Sequence, residues 1–247
     1  MRKTFRFGDW EYIKNIKNDR ITISKYLGKD TEVTVPAQID NFEVYDLDSF
    51  VFSESPANVN VKRVVLSEGI RKIGSLALSS SNIQEVVLPS TMQEIDKMGF
   101  SEIIQRVTVN PNNPYFFDID GVLFSGKPLN MHLVFFPAGR TGTYKIPDGT
   151  THIEQFAFLV SKNLKQVVMP SSVWSVESKA FSNCIALKSV TLSPSIAELR
   201  MYVFYNCLEL ADVRVSRKIK TISPNAFKGC PKFKGINIQT RMSVQER

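Results

Sequence analysis

The chain has 247 residues but only three cysteines and two histidines. Cys184, Cys207 and Cys230 form an odd set at a single spacing of 23 residues. That pattern argues against a disulfide framework, and it matches no zinc-ligand spacing. Long apolar runs are missing as well. None approaches the roughly 18 residues that a membrane helix needs. The N-terminus, MRKTFRFGDW, carries basic residues with no apolar segment behind them. This reads as a chain without a signal peptide, either cytosolic or preceded by a leader upstream of Met1. No glycine-rich phosphate loop occurs. His132 and His152 sit in no nucleophile or metal motif. The sequence therefore predicts no catalytic residue, no metal site and no cofactor.

Apolar residues make up 43% of the chain and charged residues 22%, as expected of a soluble globular body. The formal charge is +7, and the stretch from Ser216 to Arg247, with eight Lys or Arg against one Glu, equals that surplus. A basic end can attract acidic surfaces. It has no aromatic stacking platform and no helix-turn-helix signal. It reads as a solvated end with no nucleic-acid partner and no membrane insertion.

Against these absences stands one strong presence, a repeat. AFSNC at 180–184 is followed by VFYNC at 203–207 and AFKGC at 226–230. Ile146, Met169, Leu192, Val215 and Ile238 are each 23 residues apart, with Tyr144, Val167, Val190, Val213 and Ile236 two residues before them. Phe158, Phe181, Phe204 and Phe227 keep the same step, as do Ile153, Val176, Leu199 and Ile222. The first half repeats less regularly, through Val35, Leu66, Leu88 and Val109 at gaps of 31, 22 and 21 residues.

The V-x-L piece of each unit alternates, so it predicts a short strand with two side chains inward and one outward. The spacing of Val176, Ala180, Phe181 and Cys184 predicts a helical or 3₁₀ turn on the far side of each coil. One such coil buries too little apolar surface to offset the cost of ordering its backbone. It becomes stable only when neighbours cover its open faces. Equivalent residues then stack as ladders about 4.8 Å apart. In those ladders Phe fills the interior, Ala or Val203 lets the turn approach closely, and Cys acts as a small buried hydrophobe.

Units such as LKQVVMPSSVWSVESKAFSNC and LKSVTLSPSIAELRMYVFYNC resemble the BspA-like leucine-rich repeats of bacterial surface proteins. The resemblance spans about residues 9–238. It implies a right-handed leucine-rich repeat solenoid, mostly β with short helical or 3₁₀ segments. Residues 1–30 would form an N-terminal β-hairpin cap and 31–247 the solenoid, with a hairpin insert at about 111–141 and a frayed tail at 239–247. The resemblance also implies a cell-surface location, adhesion and protein binding. LALSSSN (76–82) has Leu78 where Phe is expected and lacks the Cys, MGFSEII (98–104) lacks it too, and the family's secretion signal is not seen.

YFFDIDGVLF (115–124) is similar to the first motif of haloacid-dehalogenase phosphatases. That likeness would make Asp118 the nucleophile and Asp120 the acid/base of a Mg²⁺-dependent phosphohydrolase. The motif is short, and the chain downstream repeats in 23-residue coils rather than alternating strands and helices. Asp120-Gly121 then reads as a turn entering a strand.

The functional reading is a non-enzymatic binding or adhesion module for a protein or glycan partner, or an intracellular scaffold of the same fold. Two surfaces are candidates. One is the stripe of outward strand residues Val65, Val87, Thr108, Lys145, Val168, Thr191, Arg214 and Asn237. The other is an aromatic patch in the insert: Tyr115, Phe116, Phe117, Phe135 and Phe136.

Overall fold

A computed structural model describes residues 3–15, 19–52, 60–79, 82–215, 217 and 219–238. The chain divides into two compact units, Met1–Leu123 and Phe124–Arg247. Each is a β-solenoid whose coils run through a front wall of parallel strands and a back wall of shorter ones.

In the first unit the front wall stacks Glu32–Val35, Arg63–Leu66, Glu85–Leu88 and Arg106–Val109 in chain order. The back wall opens with an antiparallel meander, Thr4–Phe7, Trp10–Asn15 and Arg20–Tyr26, where the sequence suggested one hairpin. Its third strand pairs in parallel with Phe42–Leu47, followed by Lys72–Ile73 and Glu94–Ile95. The alternation of the front strands decides what is inside. Val33, Val35, Val64, Leu66, Val86, Leu88, Val107 and Val109 are all buried, as are Ile21, Ile23, Val44, Leu47 and Ile73 of the back wall. Trp10, Tyr26 and Phe52 pack together beside them, with ring centroids 4.7–6.2 Å apart. Burial, followed by Asp30's charge, raises Tyr26 to about 12.

The insert holds Phe116–Ile119, Val122–Lys127 and Asn130–Phe135, and the boundary between the units falls inside the second of these strands. Asp120 and Gly121 join the first two, with φ of 49° and 77°. Two consecutive left-handed residues are what a tight hairpin turn requires, and Asp-Gly supplies them at low cost.

The second unit carries the regular repeat. Its front wall is Gly142–Lys145, Leu164–Val168, Ser189–Thr191, Asp212–Val215 and Ile236–Ile238. Its back wall continues from Asn130–Phe135 through Thr150–Ile153 to Ser175–Val176, with Glu198–Leu199 and Thr221–Ile222 paired separately. The nine apolar lines read from the sequence each end a front strand or follow it by one residue.

The expected helical turns do not form. No residue of the described chain is helical, α or 3₁₀. A helix would pair all its backbone groups within its own coil; here alternate N–H groups pair with the next coil, while those between them, such as Leu159, Ser182 and Tyr205, close turns on Phe156, Lys179 and Tyr202. Phe158 N–H donates to Ala180 C=O at 2.8 Å, Phe181 to Val203 at 2.9 Å and Phe204 to Ala226 at 2.9 Å. Val160 donates to Ser182, Asn183 to Tyr205 and Asn206 to Lys228 in the same way. Left-handed residues break each turn so that its N–H groups point sideways. Val160, Asn183, Asn206 and Gly229 occupy one such column, with φ of 56°, 61°, 57° and 81°. Phe156, Lys179 and Tyr202 occupy another, at 67°, 63° and 60°. The fourth letter of A-F-x-N-C is therefore Asn or Gly for a backbone reason: these residues tolerate the left-handed region best.

The aromatic column is continuous. Phe136, Phe158, Phe181, Phe204 and Phe227 stack at centroid distances of 4.9, 4.5, 5.2 and 5.3 Å, and Phe233 closes the series 3.8 Å beyond Phe227. The three thiols are free. Each is more than a space-filler, because it donates to the carbonyl of a Phe one coil back. The contacts run Cys184 to Phe158 at 3.0 Å, Cys207 to Phe181 at 3.1 Å and Cys230 to Phe204 at 2.9 Å. The neighbouring thiol, together with burial, pushes Cys207 and Cys230 well above the ordinary thiol range. The tail read at 239–247 lies outside the described residues.

Candidate functional site

The strand register assembles the outward stripe as two rows, one in each unit. Val65, Val87 and Thr108 are neighbours in the first, and Thr34 extends that row by a residue the sequence reading left out. Lys145, Val168, Thr191, Arg214 and Asn237 are neighbours in the second. The Val and Thr members are half-buried, whereas Lys145, Arg214 and Asn237 are exposed. Beside the first row runs a charge ladder, with Arg63 paired to Glu32 and, at 3.3 Å, to Glu85. The corresponding row of the second unit is Thr143, Gln166, Ser189 and Asp212. Only Asp212 is charged there, and it pairs with Arg214.

The aromatic set is not a uniform surface. Tyr115 is exposed, and Phe116, Phe117 and Phe135 are half-buried. Phe136 is 2% exposed and begins the interior stack, which removes it from the candidate patch. It stands 22 residues before Phe158, a near-repeat that the irregular insert conceals.

Asp118 serves the backbone. Its carboxylate accepts the N–H of Val109 at 2.8 Å and, through the other oxygen, that of Gly121 at 3.3 Å. Asp120 lies in the turn itself. Nothing in this arrangement supports the phosphohydrolase reading.

A polar groove of about 630 Å³ lies within the first unit, lined by Asp46, Asp48, Lys72, Glu94, Asp96 and Phe116 among others. Asp46 takes the Thr22 hydroxyl at 3.2 Å on one oxygen, and its other oxygen is buried without a partner. Burial holds its carboxyl above the usual range, although the Thr22 bond pulls the other way. The described residues contain no cluster of His, Cys, Asp and Glu able to hold a metal ion.

The feature that sequence reasoning missed is on the back wall of the second unit. His152 belongs to no sequence motif, yet it has close partners. It is half-buried, with the ring of His132 at 4.1 Å and that of Trp174 at 4.2 Å, the latter edge-on. Thr151 gives its hydroxyl proton to Asn130 Oδ1 at 2.8 Å, so the 2.9 Å contact with His152 Nδ1 is donated by the imidazole. His152 Nε2 is left as the acceptor. Burial, and next the neighbouring His132, lower its pKa. His132 Nδ1 meets Glu154 at 3.1 Å. Below this pair Glu177 holds Arg200 and, at 3.2 Å, the Ser175 hydroxyl, while Arg200 also reaches Glu198 at 2.8 Å. Trp174 is 54% exposed at the end of the ring stack. His132 and His152 are 20 residues apart, and a register shift lies between Met131 and His132. The pair therefore leaves no trace at the 23-residue period.

The comparisons with known proteins agree with this architecture. The leucine rich cell surface protein from Faecalibacterium prausnitzii A2-165 superposes with a TM-score of 0.59 at 20% identity, over 96% of this chain and 88% of that one. The pneumococcal vaccine antigen PcpA gives 0.58 at 18% identity, over 96% and 81%. A leucine-rich repeat protein from Eubacterium ventriosum ATCC 27560 gives 0.50 at 16%, over 94% and 83%. These likenesses concern the fold. No curated protein matches the chain. The family profile for the BspA type leucine rich repeat region matches in six copies over residues 22–132 and 134–246, and the chain belongs to that family.

Proposed function

We propose that this protein is a non-enzymatic binding module that holds a protein or glycan partner on a solenoid wall. The observation that carries this reading is Trp174. A large aromatic ring, 54% exposed, stands on a wall of hydrogen-bonded strands and is braced by a half-buried histidine. Folding does not require a tryptophan there; recognition commonly does. The polar groups around it are already paired with one another, so they are held in place before a partner arrives. Carboxylates, a guanidinium and a bare imidazole nitrogen beside an aromatic face suit hydroxyl and amide groups of a ligand. The F. prausnitzii relative is a cell surface protein, and we extend that location, and a role in adhesion, to this chain as part of the proposal.

The test is a glycan and protein array probed with the whole chain and with Trp174→Ala. The proposal expects hits that the variant loses about tenfold or more, at an unchanged melting temperature. An array blank for both, or hits that the variant keeps in full, would overturn it.

A further inference from the structure

The charge of the molecule is divided unevenly. Residues 124–247 hold 17 Lys and Arg against seven Asp and Glu, a net +10, whereas residues 1–123 hold 14 against 17, a net −3. Within the second unit the acids are not spread evenly. On the back wall Glu177 and Glu198 hold Arg200, and Glu154 stands against His132. The front-wall strands carry one acid, Asp212, which pairs with Arg214. Lys188 lies directly beside Lys165, its N–H bonded to the Lys165 carbonyl at 2.8 Å. Lys234 occupies the same position two coils on, and Lys145 stands in the outward row of Val168, beyond that of Gln166 and Ser189. All four are exposed, and none forms a salt bridge among the described residues. Glu209, which feels the Lys188 charge, is held by Lys232 at 2.6 Å, and Asp212, whose N–H bonds the Lys188 carbonyl at 3.2 Å, pairs with Arg214. Like charges side by side on neighbouring strands destabilise a sheet. Folding alone gives no reason to keep them.

We propose that the front wall of the second unit binds a linear anionic polysaccharide, with Lys145, Lys165, Lys188 and Lys234 as its contacts. This goes beyond the Trp174 reading, because it concerns the other wall and stands without it. Several features of the wall select this partner. The four lysines span five strands, about 19 Å at ordinary strand spacing. That is a long shallow strip, matched to an extended chain rather than to one phosphate or carboxylate. A protein partner would seek an apolar or aromatic centre, where lysine is depleted. The outward row offers only Lys145, Val168, Thr191, Arg214 and Asn237. Single-stranded nucleic acid would seek aromatic platforms, and that row has none. A membrane surface would seek protruding apolar side chains beside the cations, and Val168 is half-buried. Lysine supplies rotatable point charges rather than a fixed fork, which suits sulfates or carboxylates spaced along a flexible glycan.

The experiment measures binding of the whole chain to immobilised heparin and to polygalacturonate, which separates sulfate from carboxylate as the source of charge. Single-stranded DNA and phosphatidylserine vesicles are run in parallel. The compared variants are K165E/K188E on the front wall and K220E/K228E elsewhere on the same unit, equal in charge change. The proposal expects salt-sensitive binding to at least one polysaccharide. The front pair should weaken it about tenfold or more, and the control pair about twofold or less. Binding to neither polysaccharide, equal losses in both variants, or tighter binding to DNA or vesicles would overturn it. Trp174-dependent hits that survive such a failure would leave the binding-module reading intact.

Discussion

Arg63 on the front wall of the first unit stands between Glu32 and Glu85 and is paired with both. Gln166 holds the matching place in the second unit, between the uncharged Thr143 and Ser189, and Lys165 beside it neighbours Lys188. The interiors differ in parallel. The first unit fills its coils with Val, Ile and Leu and packs Trp10, Tyr26 and Phe52 together near its start. The second runs one Phe column through its coils and one thiol column, Cys184, Cys207 and Cys230, through three of them. A strict 23-residue step lets identical side chains meet, so a single solution repeats. Gaps of 31, 22 and 21 residues do not, and each coil of the first unit is packed individually. The contrast teaches that the same coil can be stabilised by a ladder or by local fitting, and only the ladder leaves a surface row free of structural duty.

The sharpest way to break the contrast is to cut the ladder. Phe181→Ala should cost about 3–5 kcal/mol, seen as a lowered midpoint in urea, because two stacked partners face the cavity. A smaller loss would mean that the column relaxes around the gap. Next in size is the thiol column. Cys207→Ala removes a buried group and leaves a Phe181 acceptor without that donor, at a cost of about 1–3 kcal/mol. In the native protein Cys184 and Cys207 should resist alkylation until denaturant is added, because both side chains are fully buried, and at Cys207 the thiolate is disfavoured as well.

The left-handed column gives a test of sign. Asn206→Ala should cost about 1 kcal/mol, whereas Val160→Asn should gain about 1 kcal/mol, since a β-branched residue at φ 56° is strained. Thermal melts of the two variants moving in the same direction would contradict the backbone account.

The smallest effects oppose each other across the units. Asp46 has a raised pKa, so the fold favours its protonated form. Its cost is present at neutral pH and fades as pH falls through the folded value toward the unfolded one. Asp46→Asn should raise the melting temperature at neutral pH and give no gain in strong acid. His152 has a lowered pKa, so the fold resists its charging. Stability should decline as pH drops below about 6.5, the unfolded value, and His152→Gln should remove that part of the decline.

Much of this was legible in the letters. The Phe, Val and Leu columns follow from spacing alone, because stacking converts sequence distance into contact. The second-wall strands were harder to see. Ser175–Val176 and Glu198–Leu199 are two residues long, too short for alternation to show. The far turns look helical in sequence because Val176, Ala180 and Cys184 share a helical spacing, whereas the left-handed Asn183 and Asn206 forbid that helix. The His132–His152–Trp174 stack escaped because a bulge shifts its register. Phe136 escaped because the insert hides its step. The charge contrast escaped because Lys165 and Lys188 repeat once, Ala211 breaks the row, and Lys234 resumes it.

The central claim is that coils of the second unit satisfy alternate far-side N–H groups in the neighbouring coil, outside any strand or helix. Native-state hydrogen exchange of the Phe158, Phe181 and Phe204 amides tests it directly. The account predicts protection as great as that of the front-wall strands. Exchange at the rate of exposed turns would contradict it.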